Sequence, residues 1–243
     1  MHEMNLAARL SALCVALAAT AAAAAARQSA PQSAAPQSQN PPAAQATAAQ
    51  PAVEEWRDDF DGDHLDETKW ELHTLEGGGG KIQVKDGQLK MRGAGNSRSG
   101  VRSRRMFHGD RFYVEATPAK VGGQLPQPGQ DAYQPGFAIL TVLFGGSSVN
   151  RLEWILRSDG LFEAWSFVDG RGERFDNRKL GTKEKGPHLG VGRRGDQFFF
   201  MLNGQVGLER TVRGMPADFK VMLYGFGSTE NNWDSVSVQT PKQ

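Results

Sequence analysis

The dipeptide Asp159-Gly160, set between two runs of β-formers in Asn150–Gly170 (NRLEWILRSDGLFEAWSFVDG), constrains this chain more than any other feature. Asp-Gly in that setting is a hairpin signal, because a two-residue type I′ turn needs positive φ at both central positions. With Asp159 and Gly160 in those positions, Ser158 faces Leu161, and Leu156/Glu163, Trp154/Trp165 and Leu152/Phe167 pair on one face. Side chains alternate along a strand, so the opposite face carries Arg151/Val168, Glu153/Ser166, Ile155/Ala164 and Arg157/Phe162. In this register the acids Glu153 and Glu163 fall on opposite faces.

The same punctuation recurs. Lys81–Asp86 and Gln88–Arg92 flank Asp86-Gly87, while His188–Arg193, Gln197–Leu202 and Gln205–Arg210 form a meander around Arg194-Gly195 and Asn203-Gly204. Val101–Met106, Arg111–Thr117, Phe219–Phe226 and Trp233–Val238 are further strands, and Phe137–Phe144 (FAILTVLF) reads as a strand buried on both faces. Glu54–Leu72 is an irregular acidic lead-in with isolated aromatics, Gly77–Gly80 and Gly122–Pro135 are loops, and the segment after Asp169-Gly170 through Lys185 is a charged connection. No stretch sustains a 3.6-residue apolar period with caps, and no βαβ alternation is present. The chain is therefore expected to be all-β, an antiparallel sandwich or barrel.

Only part of the chain is expected to fold. Arg9 and the Ala/Leu/Val run Leu10–Ala26 have the three-part layout of a secretory signal over residues 1–26. The run is Ala-dominated and marginal against the ~20 strongly apolar residues of a spanning helix, which favours cleavage over a membrane anchor. Bulky Leu13 before Cys14 argues against lipidation. Residues 27–52, mostly Ala, Gln, Pro and Ser, read as a disordered linker that cannot bury enough surface to offset its ordering entropy. One domain then spans residues 53–243. Cys14 is the sole cysteine, so a mature protein lacking the signal has no disulfide, zinc-thiolate site or cysteine nucleophile. A formal charge of +1 gives no global basic field, so no nucleic-acid partner is expected, nor a membrane span once the signal is removed. The expected location is exported, periplasmic or extracellular.

Three segments then carry a resemblance: Asp58-Asp59-Phe60-Asp61-Gly62 with Leu65 and Trp70; His188-Leu189-Gly190-Val191 followed by Arg194-Gly195-Asp196, Phe199 and Asn203-Gly204; and the closing Trp233-Asp234-Ser235-Val236-Ser237-Val238. Over Trp56–Val238 the chain resembles the concanavalin A-like lectin/glucanase superfamily, including its laminin-G-like members. The resemblance implies a jelly-roll β-sandwich of two curved sheets, with any ligand on the concave sheet or its rim loops. It also implies a structural calcium ion that would recruit Asp61, the Gly62 carbonyl and Asp234; the residues alone are equally an acidic turn, since they do not satisfy an EF-hand spacing.

Glucanases of that superfamily set their acids on one strand as E-x-D-x-x-E, and no such motif occurs here. Glu153 and Glu163 are the carboxylates to test for catalysis, although Glu153 between Arg151 and Arg157 also reads as a rung of an ion-paired ladder. Trp154 and Trp165 are either a sugar-stacking pair or core. Arg102 and Arg104 share a strand face that could hold a sulfated or uronic polysaccharide, or simply face solvent. The scattered histidines and Gly77–Gly80 have no metal or P-loop spacing. The leading expectation is a domain that binds a polysaccharide or cell-surface glycan without cleaving it, with Trp154, Trp165, Arg102, Arg104, Arg151 and Arg157 as ligand-binding residues. The alternatives are a glycan-cleaving enzyme with a non-standard acid pair and a laminin-G-like structural or protein-interaction module.

Overall fold

A computed structural model describes residues 52–77, 79–93, 98–123, 136–179, 186–226 and 230–242. The expected secretory signal, Cys14, nearly all of the expected linker and most of the expected Gly122–Pro135 loop lie outside the described residues. Among those described there is no α-helix, and none long and apolar enough to cross a membrane.

Among the described residues, fifteen strands pair into two antiparallel sheets. One has seven strands in the order β10 (Arg171–Lys179), β9 (Leu161–Val168), β8 (Arg151–Arg157), β7 (Phe137–Phe144), β14 (Phe219–Phe226), β5 (Arg98–Ser103) and β2 (Trp70–Glu76). The other runs β13 (Gln205–Thr211), β12 (Gln197–Leu202), β11 (Leu189–Arg194), β6 (Arg111–Val121), β15 (Glu230–Pro241), β4 (Gln88–Gly93) and β3 (Gly80–Lys85). Its eighth strand, β1 (Val53–Asp58), pairs with the second half of β15, from Val53 opposite Pro241 to Asp58 opposite Val236, beyond the stretch that β4 covers. This is an antiparallel β-sandwich, one of the two forms that the turn-punctuated sequence predicts, and it matches the jelly roll that the resemblance implies.

The core lies between the sheets and is filled by alternate residues of nearly every strand. Trp70, Leu89, Val114, Leu140, Leu152, Phe198, Phe200, Val221 and Trp233 are all buried in it. Each large apolar side chain so buried contributes about 1.5–3 kcal/mol before entropy is counted. The run Phe137–Phe144 is central in its sheet and buried on both faces: Ala138, Leu140, Val142 and Phe144 join the core, and Ile139 and Leu143 join a second cluster on the far face.

Two stretches differ from the sequence reading. The acidic lead-in contains β1 and the start of β2, and its aromatics pin it down: Trp56 packs edge-on against Trp70, whose Nε1 donates to Asp58 Oδ2 at 2.6 Å. Phe60, at φ 54°, is 2% exposed and rests on the Trp70 ring, while its N–H donates to Asp58 Oδ1; packing and an Asx-type bond offset the ~1–3 kcal/mol of that backbone conformation. The charged connection after Gly170 is likewise β10, an edge strand. Its charges mask the alternation that identifies a strand and blunt an edge open to pairing.

The decisive correction concerns the central hairpin. Arg151 faces Phe167, Glu153 faces Trp165, Trp154 faces Ala164, Ile155 faces Glu163 and Leu156 faces Phe162. The register is one residue off the type I′ expectation because the link has three residues, Ser158, Asp159 and Gly160. Only Gly160 has positive φ (78°), and its N–H donates to Arg157 O at 3.0 Å, so a type I turn is closed by a left-handed glycine. Contacts outside the hairpin hold Ser158 out of the ladder. Its N–H donates to Gly136 O, and its hydroxyl accepts from Gly136 N–H, both at 3.0 Å. At Asp86-Gly87, Asp169-Gly170 and Asn203-Gly204 both residues do have positive φ, and those are two-residue turns.

Candidate functional site

The one-residue shift moves Glu163, Trp165 and Phe167 onto the face of Arg151, Glu153, Ile155 and Arg157. That is the face of the seven-stranded sheet turned away from the core. Its floor is apolar and buried, formed by Ile139, Leu143, Ile155, Met222 and Tyr224, with Phe137, Trp165 and Phe226 packed around them. A pocket of about 240 Å³ opens there, walled by Arg98 and Phe226 at one side and Trp165 and Phe167 at the other, with Glu153, Arg157 and Glu163 between. It is smaller than the ~300–1,000 Å³ of most small-molecule sites.

Both acids are buried, and both are engaged. Glu153 is 2% exposed, and its Oε1 accepts from Arg151 Nε at 2.6 Å and from the Tyr224 hydroxyl at 2.7 Å. Glu163 is 7% exposed; its Oε1 accepts from an Arg157 nitrogen at 3.0 Å and its Oε2 from Trp165 Nε1 at 3.1 Å. Burial, and then the Glu153 charge, push the Tyr224 phenol well above its ordinary value, so it stays a hydrogen-bond donor. Burial works against the charge on Arg157, but its bonds to Asp159 and Glu163 outweigh that and leave its pKa raised. Glu153 and Glu163 are diagonal neighbours across the strand pair, positions whose backbones lie about 7–8 Å apart.

The aromatic wall is set by its neighbours. Trp165 and Phe167 stack at 15° with centroids 6.1 Å apart, and the Arg151 guanidinium lies 3.4 Å from the Phe167 centroid. Behind Phe167 stands Gly172 of β10, where a Cβ would come within 2.7 Å of the ring. Only a residue without a side chain lets Phe167 lie back against the edge strand.

The other sequence candidates are distributed differently. Trp154 is not paired with Trp165: it points into the core, 5% exposed, with Nε1 donating to Met201 O at 2.9 Å. Arg102 is on the pocket's sheet, where it and Lys220 both bind Glu71. Burial, then the Arg102 charge, lower the pKa of His73 beside them. Arg104 does not share that role, because it follows the end of β5 and donates to the carbonyls of Glu67 and Trp70. Asp61 and Gly62 lie in the turn that follows β1, and Asp234 Oδ1 accepts from Gln88 at 2.9 Å. No group of three or more metal-binding side chains occurs among the described residues. The three named ligand groups are fewer than the six to eight oxygens that calcium takes.

No protein-family model matches the chain, and no curated protein matches it in sequence. Solved structures do match in shape. The endo-β-1,3(4)-glucanase SCLam of family GH16 superposes with a TM-score of 0.60 at 10% identity, covering 79% of this chain and 95% of that one. The Pyrococcus furiosus endo-β-1,3-glucanase gives 0.59 at 13% identity, over 76% and 93%, and the Bacillus licheniformis β-glucanase 0.56 at 11%, over 78% and 98%. The chain has the concanavalin A-like jelly-roll fold.

Proposed function

We propose that the domain binds a polysaccharide or glycan in the pocket on the outer face of the seven-stranded sheet, without cleaving it, and that the Ala-rich N-terminal layout directs it out of the cytoplasm. The observation that carries the reading is the pairing of Glu153 with Arg151 and Tyr224, and of Glu163 with Arg157 and Trp165, at the foot of an aromatic wall. A glycosidase acid must give a proton to the leaving oxygen. Here each carboxylate is an acceptor already taken up by donors, whereas the Trp165 and Phe167 rings offer apolar surface of the kind a pyranose ring packs against. The shape match to glucanases supports a sugar-sized site and does not decide chemistry.

The cleavage reading gains one observation. Glu153 and Glu163 share a face, and their diagonal spacing is compatible with the ~5–5.5 Å or ~6.5–9.5 Å between carboxyl groups that hydrolysis uses. Retention of the full chain on immobilised polysaccharides, with reducing-end release measured in the same samples, decides between them. Binding with the glycan recovered intact upholds the proposal. Release that Glu163→Gln abolishes replaces it with the enzyme, and neither binding nor release leaves the laminin-G-like interaction module.

A further inference from the structure

Arg111 of β6 lies directly opposite Arg194 of β11. Both are exposed on the outer face of the eight-stranded sheet, because the residue next to Arg111, Phe112, points into the core. Like charges in directly opposed positions weaken a strand pair. Here no acid relieves them. Among the described residues neither guanidinium makes an ion pair or a side-chain hydrogen bond, and Arg194 only lies 5.8 Å from the Phe199 ring. Elsewhere in the body Arg57, Arg102, Arg105, Arg151 and Arg157 each bind a carboxylate. Asp110 and Asp196 are close in sequence, yet they attract the neighbouring Arg193 without bonding to it, and the Arg193 guanidinium donates to the carbonyls of Met215, Pro216 and Gly195.

The two arginines share a pocket of about 440 Å³ with Tyr113 and the half-buried Gln239, and no residue lining it is acidic. The Gln239 amide makes no side-chain hydrogen bond among the described residues, so it offers a further donor in the same wall. Each guanidinium is a planar fork of donors suited to an oxyanion, and two of them without a counter-charge match a group that carries two negative charges. A phosphate monoester carries about −1.5 to −2 at pH 7. We infer that this pocket binds a dianionic tetrahedral oxyanion, inorganic phosphate or the phosphate of a monoester, whose oxygens accept from Arg111, Arg194 and Gln239. The site is on the other sheet from the glycan pocket and stands without it.

The test is calorimetric titration of the full chain at about 0.01 M salt, where surface charges are little screened. The probes are inorganic phosphate, glucose 6-phosphate and, as a tetrahedral monoanion, dimethyl phosphate. Phosphate or glucose 6-phosphate should bind with a Kd of about 1 mM or below, and dimethyl phosphate about tenfold more weakly. Arg111→Gln and Arg194→Gln should each weaken that binding about tenfold, the loss of one charge-assisted contact. Their Tm without ligand should not fall, because a pair of opposed like charges is removed. Arg171→Gln, at an exposed arginine of β10 on the other sheet, should bind as the wild type does. Tighter binding of glucose 6-phosphate than of inorganic phosphate would uphold the inference for a sugar-borne group, and equal or weaker binding would uphold it for the free ion. No binding of either below about 10 mM, dimethyl phosphate binding as tightly as phosphate, unchanged affinity in Arg111→Gln or Arg194→Gln, or an equal loss in Arg171→Gln would each overturn it. None of these outcomes bears on retention by polysaccharides, so the two readings fail separately.

Discussion

The hydroxyl of Tyr224 donates to Oε1 of Glu153 across 2.7 Å, beneath a pocket floor where the tyrosine is fully buried and the glutamate 2% exposed. The bond joins β14 to β8 over the intervening β7, so the carboxylate is fixed from a second strand as well as by Arg151. Tyr224→Phe should cost about 1–3 kcal/mol, the penalty of a buried acceptor losing one donor. Glu153→Ala should cost about 2–4 kcal/mol, because the partly buried Arg151 then loses its carboxylate and Tyr224 its acceptor. Urea unfolding of both variants measures the difference.

Two tryptophans that the sequence sets on one face are predicted to separate by function. Trp154→Ala should lower stability by about 3–5 kcal/mol, since the ring fills the core. Trp165→Ala should lower it by only about 1–2 kcal/mol. Glycan binding by Trp165→Ala should weaken about three- to tenfold through loss of stacking surface. Calorimetric titration and thermal unfolding on the same samples separate the two effects.

Acid should loosen the sheet around Glu71. The Lys220 ammonium at 3.1 Å, and then the Arg102 guanidinium, hold the Glu71 carboxyl below its ordinary value. A depressed folded value adds stability above the unfolded one of about 4.3, and that stability is lost as pH falls through the folded value. The Tm of the wild type should therefore drop more steeply below about pH 4 than that of Glu71→Gln, which cannot titrate there. Parallel slopes in the two proteins would refute the assignment.

Gly160 closes the turn that joins the two strands of the site. At φ 78° it occupies the left-handed region, where a Cβ costs about 1–2 kcal/mol. Gly160→Ala should lower stability by about that amount, and glycan affinity should fall with it if the strained turn displaces Glu163 and Trp165. Gly170→Ala, at a comparable φ of 79° in the next turn, should cost stability without touching affinity; denaturation midpoints and binding isotherms give both readings.

Most of the sandwich was legible because its strands alternate and its turns carry Gly. Asp86-Gly87 and Asn203-Gly204 specify their turns locally, and the structure follows them. β10 was hidden, because an edge strand reading RGERFDNRK has no apolar alternation to find. The site was hidden for a different reason. Ser158-Asp159-Gly160 satisfies a two-residue and a three-residue turn almost equally, and the choice is made by Gly136, over twenty residues earlier, through two hydrogen bonds to Ser158. A contact from the residue just before β7 thus decides whether Glu153 and Glu163 share a face, and no local signal in the hairpin reports it. One trace was present: Glu163 on an apolar face is anomalous, and a buried acid asks for a partner.

The first and last strands of the body lie side by side, with Val53 directly opposite Pro241. Tension applied between those two points would meet the hydrogen bonds of β1 one after another, parting them like a zip, instead of loading them all in shear. The sandwich would therefore shed β1 under modest force and keep β8, β9 and the pocket between them intact.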